Sequence, residues 1–219
     1  MEKQPPWHRE AASARVVGTL QVLHQTLGLS GYYLAGGTAL ALHFGHRISE
    51  DLDLFAEEAF DEDALLQRAQ SLKGFALVAK GSGTLHAHIG GTKVSFLSYS
   101  YPLLFPCPTF LEVQVADPRD IACMKLSAIA SRGTRRDFID LYAVTQRYEL
   151  SHIFEWFKTK FAAASYSGVH LVKSLTYFED AEKDPLPHML VPLAWEEVKQ
   201  FFARQAPLLL ASEASSGNR

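Results

Sequence analysis

Cysteine is scarce in this chain: 219 residues contain only Cys107 and Cys123. Two are too few for a disulfide framework, and their separation is not a metal-ligand spacing, so the chain suits a reducing compartment. No apolar run approaches the ~20 residues that a helix needs to span a bilayer. The opening M-E-K-Q-P-P-W-H-R-E lacks the apolar centre of a secretory signal. The expectation is a cytoplasmic protein with no membrane partner. An excess of charge of one sign is also missing, with 21 Lys and Arg against 24 Asp and Glu and a net charge of −3. That excludes global attraction to nucleic acid and leaves only a local basic patch to make such contacts. What remains is the ordinary content of a folded protein, 47% apolar and 21% charged, long enough for one or two domains.

Val16, Val17, Leu20, Leu23 and Leu27 recur at helical spacing and predict a helix over residues 8–27, stopped at Gly28. A short strand over 32–35, a Gly36-Gly37 turn, a helix over 38–44 and a strand over 51–55 follow. The acidic start of 61–72 predicts another helix, because carboxylates favour the positive end of the helix dipole. Strands are expected over 75–79, 84–89, 93–99 and 110–115, with Gly90-Gly91 as a hairpin turn. From Asp117 onward only helices are expected, over 118–132, 135–148, 151–161, 168–178 and 195–205. The fold class is therefore α+β in the first half, residues 1–116, joined to a helical second half over 117–208. The small, polar end A-S-S-G-N-R, with Glu213 just before it, marks residues 209–219 as a disordered tail.

The most informative stretch is residues 34–55, L-A-G-G-T-A-L-A-L-H-F-G-H-R-I-S-E-D-L-D-L-F. Side chains alternate along a strand, so Asp51 and Asp53 share one face while Leu52 and Leu54 turn to the core. Two neighbouring carboxylates repel unless a cation lies between them, and a hard ion such as Mg²⁺ or Mn²⁺ suits that oxygen pair, with nucleotide phosphates completing its shell. A solvated acidic strand is the alternative for an isolated D-x-D. Upstream, Gly36 and Gly37 allow close backbone approach to a ligand, and the N–H groups of the following helix start bind anions. Thr38 adds a hydroxyl there. Arg47 suits a phosphate or a carboxylate, and Ser49 suits the local turn. His43 and His46 read as structural.

A second cluster runs from Asp117 to Tyr142, D-P-R-D-I-A-C-M-K-L-S-A-I-A-S-R-G-T-R-R-D-F-I-D-L-Y. Asp117-Pro118 starts a helix, Gly133 ends it, and Thr134 starts the next. Lys125 and Arg132 lie along one flank of the first helix. Thr134 and Asp137 match a capping box, which gives Asp137 a structural alternative to any role in a site. Arg132, Arg135 and Arg136 form a local basic group able to meet an RNA backbone.

Together, G-G-T-A-L-A-L…R-I-S-E-D-L-D-L-F and K-L-S-A-I-A-S-R-G-T-R-R-D-F-I-D-L-Y resemble the AbiEii/AbiGii-type nucleotidyltransferases. These are toxins of abortive-infection and type IV toxin–antitoxin systems within the DNA polymerase β-like superfamily. The resemblance covers roughly residues 32–143. It implies a small mixed sheet flanked by helices, then a helical domain completing the active-site cleft. It also implies Mg²⁺-dependent transfer of a nucleoside monophosphate from a nucleoside triphosphate to an acceptor, the 3′ end of tRNA first and a protein hydroxyl second, with a cognate antitoxin as partner. Asp51 and Asp53 would then bind metal, Lys125 the nucleotide phosphates, and Asp137 would belong to the active site. Arg132 and Arg136 would contact nucleotide or acceptor phosphate. One position departs from the wider superfamily: Ser95 stands where a third carboxylate is expected on a following strand. Glu112 is a candidate substitute, and a silent nucleotide-binding module of a defence complex is the alternative that the departure raises.

Overall fold

The computed structural model describes residues 7–216. The chain divides into two compact units, Met1–Asp117 and Pro118–Arg219.

The first unit is built on a seven-stranded mixed sheet. Its elements in chain order are a 3₁₀ turn (Arg9–Ala11), α1 (Ala14–Leu27), β1 (Tyr33–Ala35), α2 (Gly36–Phe44), β2 (Asp51–Ala56), α3 (Glu62–Ala69), β3 (Ala76–Gly81), β4 (Thr84–Ile89), β5 (Thr92–Ser98), β6 (Thr109–Phe110) and β7 (Val113–Val115). The strand order is β3-β4-β5-β2-β1-β7-β6. β2 runs parallel to β5 and antiparallel to β1. Leu52 and Leu54 on β2, Val94 and Phe96 on β5, and Leu85 and Ala87 on β4 are all fully buried. α1 packs against β2 and β5 and α3 against β4, covering this face with Leu20, Leu23 and Leu65. α1 begins later than its apolar spacing predicts, because the Ser13 side chain caps it by accepting from the Val16 N–H.

The strand expected over 110–115 is two short strands joined by a turn at Leu111 and Glu112, both with positive φ (51° and 65°). Two consecutive left-handed residues reverse the chain. Leu-Glu carries none of the Asn or Gly that usually marks such a turn, which hides it from the sequence.

The second unit is helical: α4 (Pro118–Ser131), α5 (Arg135–Thr145), α6 (Leu150–Lys160), α7 (Gly168–Ser174), a 3₁₀ turn (Ala181–Lys183) and α8 (Trp195–Ser216). Phe138 is its aromatic centre, with ring centroids 5.1 Å from Phe178, 5.7 Å from Phe202 and 6.0 Å from Trp195. α8 overruns the expected end at residue 205. It continues through Pro207 because Val198, Phe202, Ala206 and Leu209 form one buried stripe, whose packing outweighs the lost backbone bond at proline. The expected tail is thus helical to Ser216, and its residues 217–219 lie outside the described residues. Cys123 is buried in this unit, and burial pushes its thiol up to about 12, so it is no nucleophile.

α4 is tied to α6 by an ion pair that no local pattern announces. Lys160 Nζ donates to Asp120 Oδ1 at 2.8 Å, and neither side chain has any exposed area. Removing one partner strands a buried charge. Asp120→Ala is therefore expected to destabilise the fold by about 3–5 kcal/mol in denaturant unfolding. A paired Asp120→Leu/Lys160→Met change is expected to recover most of that loss.

Candidate active site

β2 lies inside the sheet, flanked by β5 and β1, so the pleat that buries Leu52 and Leu54 turns Asp51, Asp53 and Phe55 to the opposite, half-exposed face. Asp53 is opposite Ala35 on β1 and Ser95 on β5. Ala35 leads directly into Gly36, whose φ of +69° turns the chain into α2. The turn passes so near the carboxylate that a Cβ on Gly36 would lie 2.9 Å from Asp53 Oδ2. Glycine is required there both for the left-handed backbone and for the space.

The start of α2 has no side-chain cap, unlike α1, α3, α5 and α7, which are capped by Ser13, Asp61, Thr134 and Ser167. Its leading N–H groups therefore suit an anion brought beside Asp53. Thr38 and Arg47, candidates for phosphate, and Ser49, expected to fix the local turn, are buried beneath this turn. The Thr38 and Ser49 hydroxyls are hydrogen-bonded at 2.8 Å, and Thr38 Oγ1 also donates to the Asp51 carbonyl. Arg47 donates to the Ile48 carbonyl and lies where a Cβ on Gly37 would strike its guanidinium. These three side chains brace the turn and the head of β2. His43 is structural, bonded through Nε2 to the Ala116 carbonyl at 2.9 Å, and His46 is buried next to Phe44.

Asp51 and Asp53 present hard oxygen donors on one face, a donor set that fits a divalent cation. Among the described residues no group of three or more His, Cys, Asp or Glu is placed to complete a protein cage. The third position belongs to Ser95, and its neighbour on β4 is His86, whose Nδ1 lies 3.0 Å from Ser95 Oγ. Glu112 does not substitute. It sits in the β6–β7 turn beyond β1, largely exposed, with Oε2 3.5 Å from His24 Nε2.

The second unit gathers its own charged cluster. Lys125 Nζ on α4 lies 2.9 Å from Asp137 Oδ1 and 2.7 Å from Asp140 Oδ2 on α5, and both carboxylates are buried. Thr134 Oγ1 donates to Asp137 Oδ2 at 2.6 Å and accepts from the Asp137 N–H, so capping and charge pairing coexist at one residue. Arg132 Nε is 3.4 Å from the same Oδ2, while most of its side chain is exposed beside a groove of about 450 Å³ that also carries His170 and Lys173. Burial alone would raise the Asp137 carboxyl, but Lys125, the Thr134 hydroxyl and Arg132 outweigh it and hold the group below its ordinary value. Asp140 is the member that the sequence reading missed; its signal is the i+3 spacing that sets it on the same helix face as Asp137. Arg136 is exposed. Arg135 leaves the expected basic group: it stacks over Trp195 and bonds the Ala181 and Glu182 carbonyls.

Residues 23–103 and 89–214 match the family described as Nucleotidyl transferase AbiEii toxin, Type IV TA system. The chain belongs to the AbiEii nucleotidyltransferase toxin family. An uncharacterized protein of Aquifex aeolicus is 37% identical over 187 residues, covering 82% of this chain and 89% of that protein. In fold, the AbiEii chain resembles JHP933 from Helicobacter pylori, with TM-score 0.53, 20% identity, and coverage of 94% of this chain and 98% of that one. It similarly resembles MenT4, a nucleotidyltransferase toxin from Mycobacterium tuberculosis, with TM-score 0.52, 18% identity, and coverage of 91% and 94%. Among the described residues no helix is long and apolar enough to cross a membrane.

Two outcomes follow for this AbiEii-family transferase. Gly36→Ala is expected to cost about 1–3 kcal/mol of stability from the left-handed backbone and, by displacing Asp53, to lower nucleotide transfer at least ~10-fold. Thermal unfolding and a transfer assay on the same sample check both. For Asp137, the folded carboxyl titrates below its unfolded value near 3.8. Its stabilising charge is therefore present above that value and lost as pH falls through the lower folded one. Asp137→Asn is expected to unfold more easily at neutral pH and to show a shallower loss of stability in acid, as followed by denaturant titrations across that range.

Proposed function

We propose that this AbiEii-family nucleotidyltransferase places its nucleoside monophosphate on the 3′ end of tRNA, with a protein hydroxyl as second acceptor, and acts as the toxin of a type IV toxin–antitoxin pair. The observation that carries the reading is the approach of the Gly36 turn to the Asp53 carboxylate. It puts an anion-binding helix start and a cation-binding carboxylate pair at one point, as a triphosphate with its counter-ion requires.

In this reading the leading N–H groups of α2 take phosphate oxygens, with Gly36 and Gly37 giving them access. Thr38, Arg47 and Ser49 hold the turn from below. Asp51 and Asp53 hold a Mg²⁺ or Mn²⁺ ion, which supplies charge neutralisation for the triphosphate and the departing pyrophosphate. The acceptor oxygen bonds to the α-phosphorus in line as the bond to the β-phosphate oxygen breaks. Lys125 and Asp137 enter on the family resemblance, Lys125 as a cation for phosphate and Asp137 as an active-site carboxylate, here ion-paired with Lys125. Arg132 and Arg136 serve the acceptor backbone.

The test is transfer of α-phosphate label from each of the four ribonucleoside triphosphates, with Mg²⁺ or Mn²⁺, total tRNA and cell extract. Label on tRNA that vanishes in Asp51→Ala/Asp53→Ala is the expected result, with a loss of at least ~10³-fold. Label on protein instead moves the acceptor to a side-chain hydroxyl. Nucleotide binding with no label anywhere overturns the transfer reading in favour of a silent binding module.

A further inference from the structure

Ser95 and His86 lie in one row with Asp53. The pairing of β2 with β5 and of β5 with β4 sets Asp53, Ser95 and His86 abreast on three adjacent strands, all on the face opposite the α1–α3 layer. Adjacent strands lie about 4.8 Å apart, so the Asp53 and His86 backbones are separated by about 10 Å, with Ser95 between them. Both side chains rise from the same face of the sheet, on either side of Ser95. Towards β4 the face carries side chains that reach solvent. His86 is half-exposed, and in the next row, Asp51, Lys93 and His88, the last two are exposed. Ser95 itself is buried, 4% exposed, so its hydroxyl acts on the imidazole above it.

A serine–histidine contact in a sheet can be a simple brace. Two features argue for more. The Ser95 hydroxyl meets Nδ1, which leaves Nε2 as the nitrogen available to a ligand. The pair also occupies the row of Asp53, where no further carboxylate is near enough to join a cluster with Asp51 and Asp53 among the described residues. Imidazole is the side chain most often used to take a proton from an attacking hydroxyl, and it needs a partner on its other nitrogen to fix the tautomer.

We infer that His86, oriented by Ser95 through Nδ1–H, is the proton acceptor for the hydroxyl that receives the nucleotide. The inference rests on the transfer reading above. As the acceptor oxygen bonds to the α-phosphorus, its proton moves to His86 Nε2. The bond from the α-phosphorus to the bridging oxygen breaks, and the electron pair leaves with pyrophosphate. Ser95 is a positioning residue and His86 the catalytic one.

The experiment uses the full chain with Mg²⁺, α-labelled nucleoside triphosphate and total tRNA. His86→Ala is expected to lose about 100-fold in transfer, with nucleotide binding and melting temperature retained, and added imidazole is expected to restore activity at least ~10-fold. His86→Gln, which keeps a hydrogen-bonding group but no proton-accepting nitrogen, is expected to lose as much. Independently of turnover, nitrogen NMR of the wild-type chain is expected to find His86 protonated on Nδ1 and bare on Nε2, and Ser95→Ala to release that preference. An active wild type with an equally active His86→Ala overturns this inference alone, as does a wild-type ring carrying its proton on Nε2. A wild type without transfer is instead the failure of the transfer reading, and it removes this inference with it.

Discussion

The pleat of β2 is the constraint on which the candidate site depends. Leu52 and Leu54 have no exposed area, and β5 and β1 hold the strand from both sides, so its register cannot slip without expelling those leucines from the core. The same register fixes Asp51 and Asp53 on the other face and sets Ala35 opposite Asp53, which delivers the Gly36 turn to the carboxylate. The site's positional accuracy is thus a by-product of hydrophobic packing one residue away on each side. The buried set of Thr38, Ser49 and Arg47 extends that rigidity to the turn, because their polar atoms are engaged with β2 and its approach rather than with solvent.

The helical unit relies on a different kind of order. α4 is joined to α5 through Lys125 with Asp137 and Asp140, and to α6 through Asp120 with Lys160. Buried ion pairs add little net stability over apolar side chains of similar size, but a wrong register would strand their charges at a cost of several kcal/mol. Asp120 stands in the first turn of α4 and Lys125 near its middle, so the two pairs fix the helix along its length.

Much of this was legible because it is local. Leu-Asp-Leu alternation announced β2, Gly-Gly announced the turn into α2, and Asp61, Pro118 and Thr134 marked helix starts that the structure places at or next to them. The capping alternative for Asp137 was also readable, although not that the same carboxylate would bind Lys125 as well. What stayed hidden depends on partners distant in sequence or on packing that overrides a local rule. Lys160 is forty residues from Asp120. Leu111 and Glu112 turn the chain with none of the usual turn residues. The helix expected to end at residue 205 runs on through Pro207 because of a buried stripe ending at Leu209. Arg135 reads as one of three equivalent surface arginines until Trp195 and Glu182 claim it.

Ser95 shows how a residue can look like a loss in one dimension and a replacement in three. Read along the chain, it is a missing carboxylate. Read across the sheet, it is the middle of a row whose far member is an imidazole. The difference matters because of proton balance. A hydroxyl that becomes a phosphodiester oxygen must shed a proton, and two carboxylates that share a cation have little basicity left to take it. A third carboxylate could meet that need by direct contact. A hydroxyl alone could not, since a serine that accepts a proton must pass one on. In the proposed role, His86 beside Ser95 gives that proton a destination, and strand pairing, not sequence adjacency, puts His86 there.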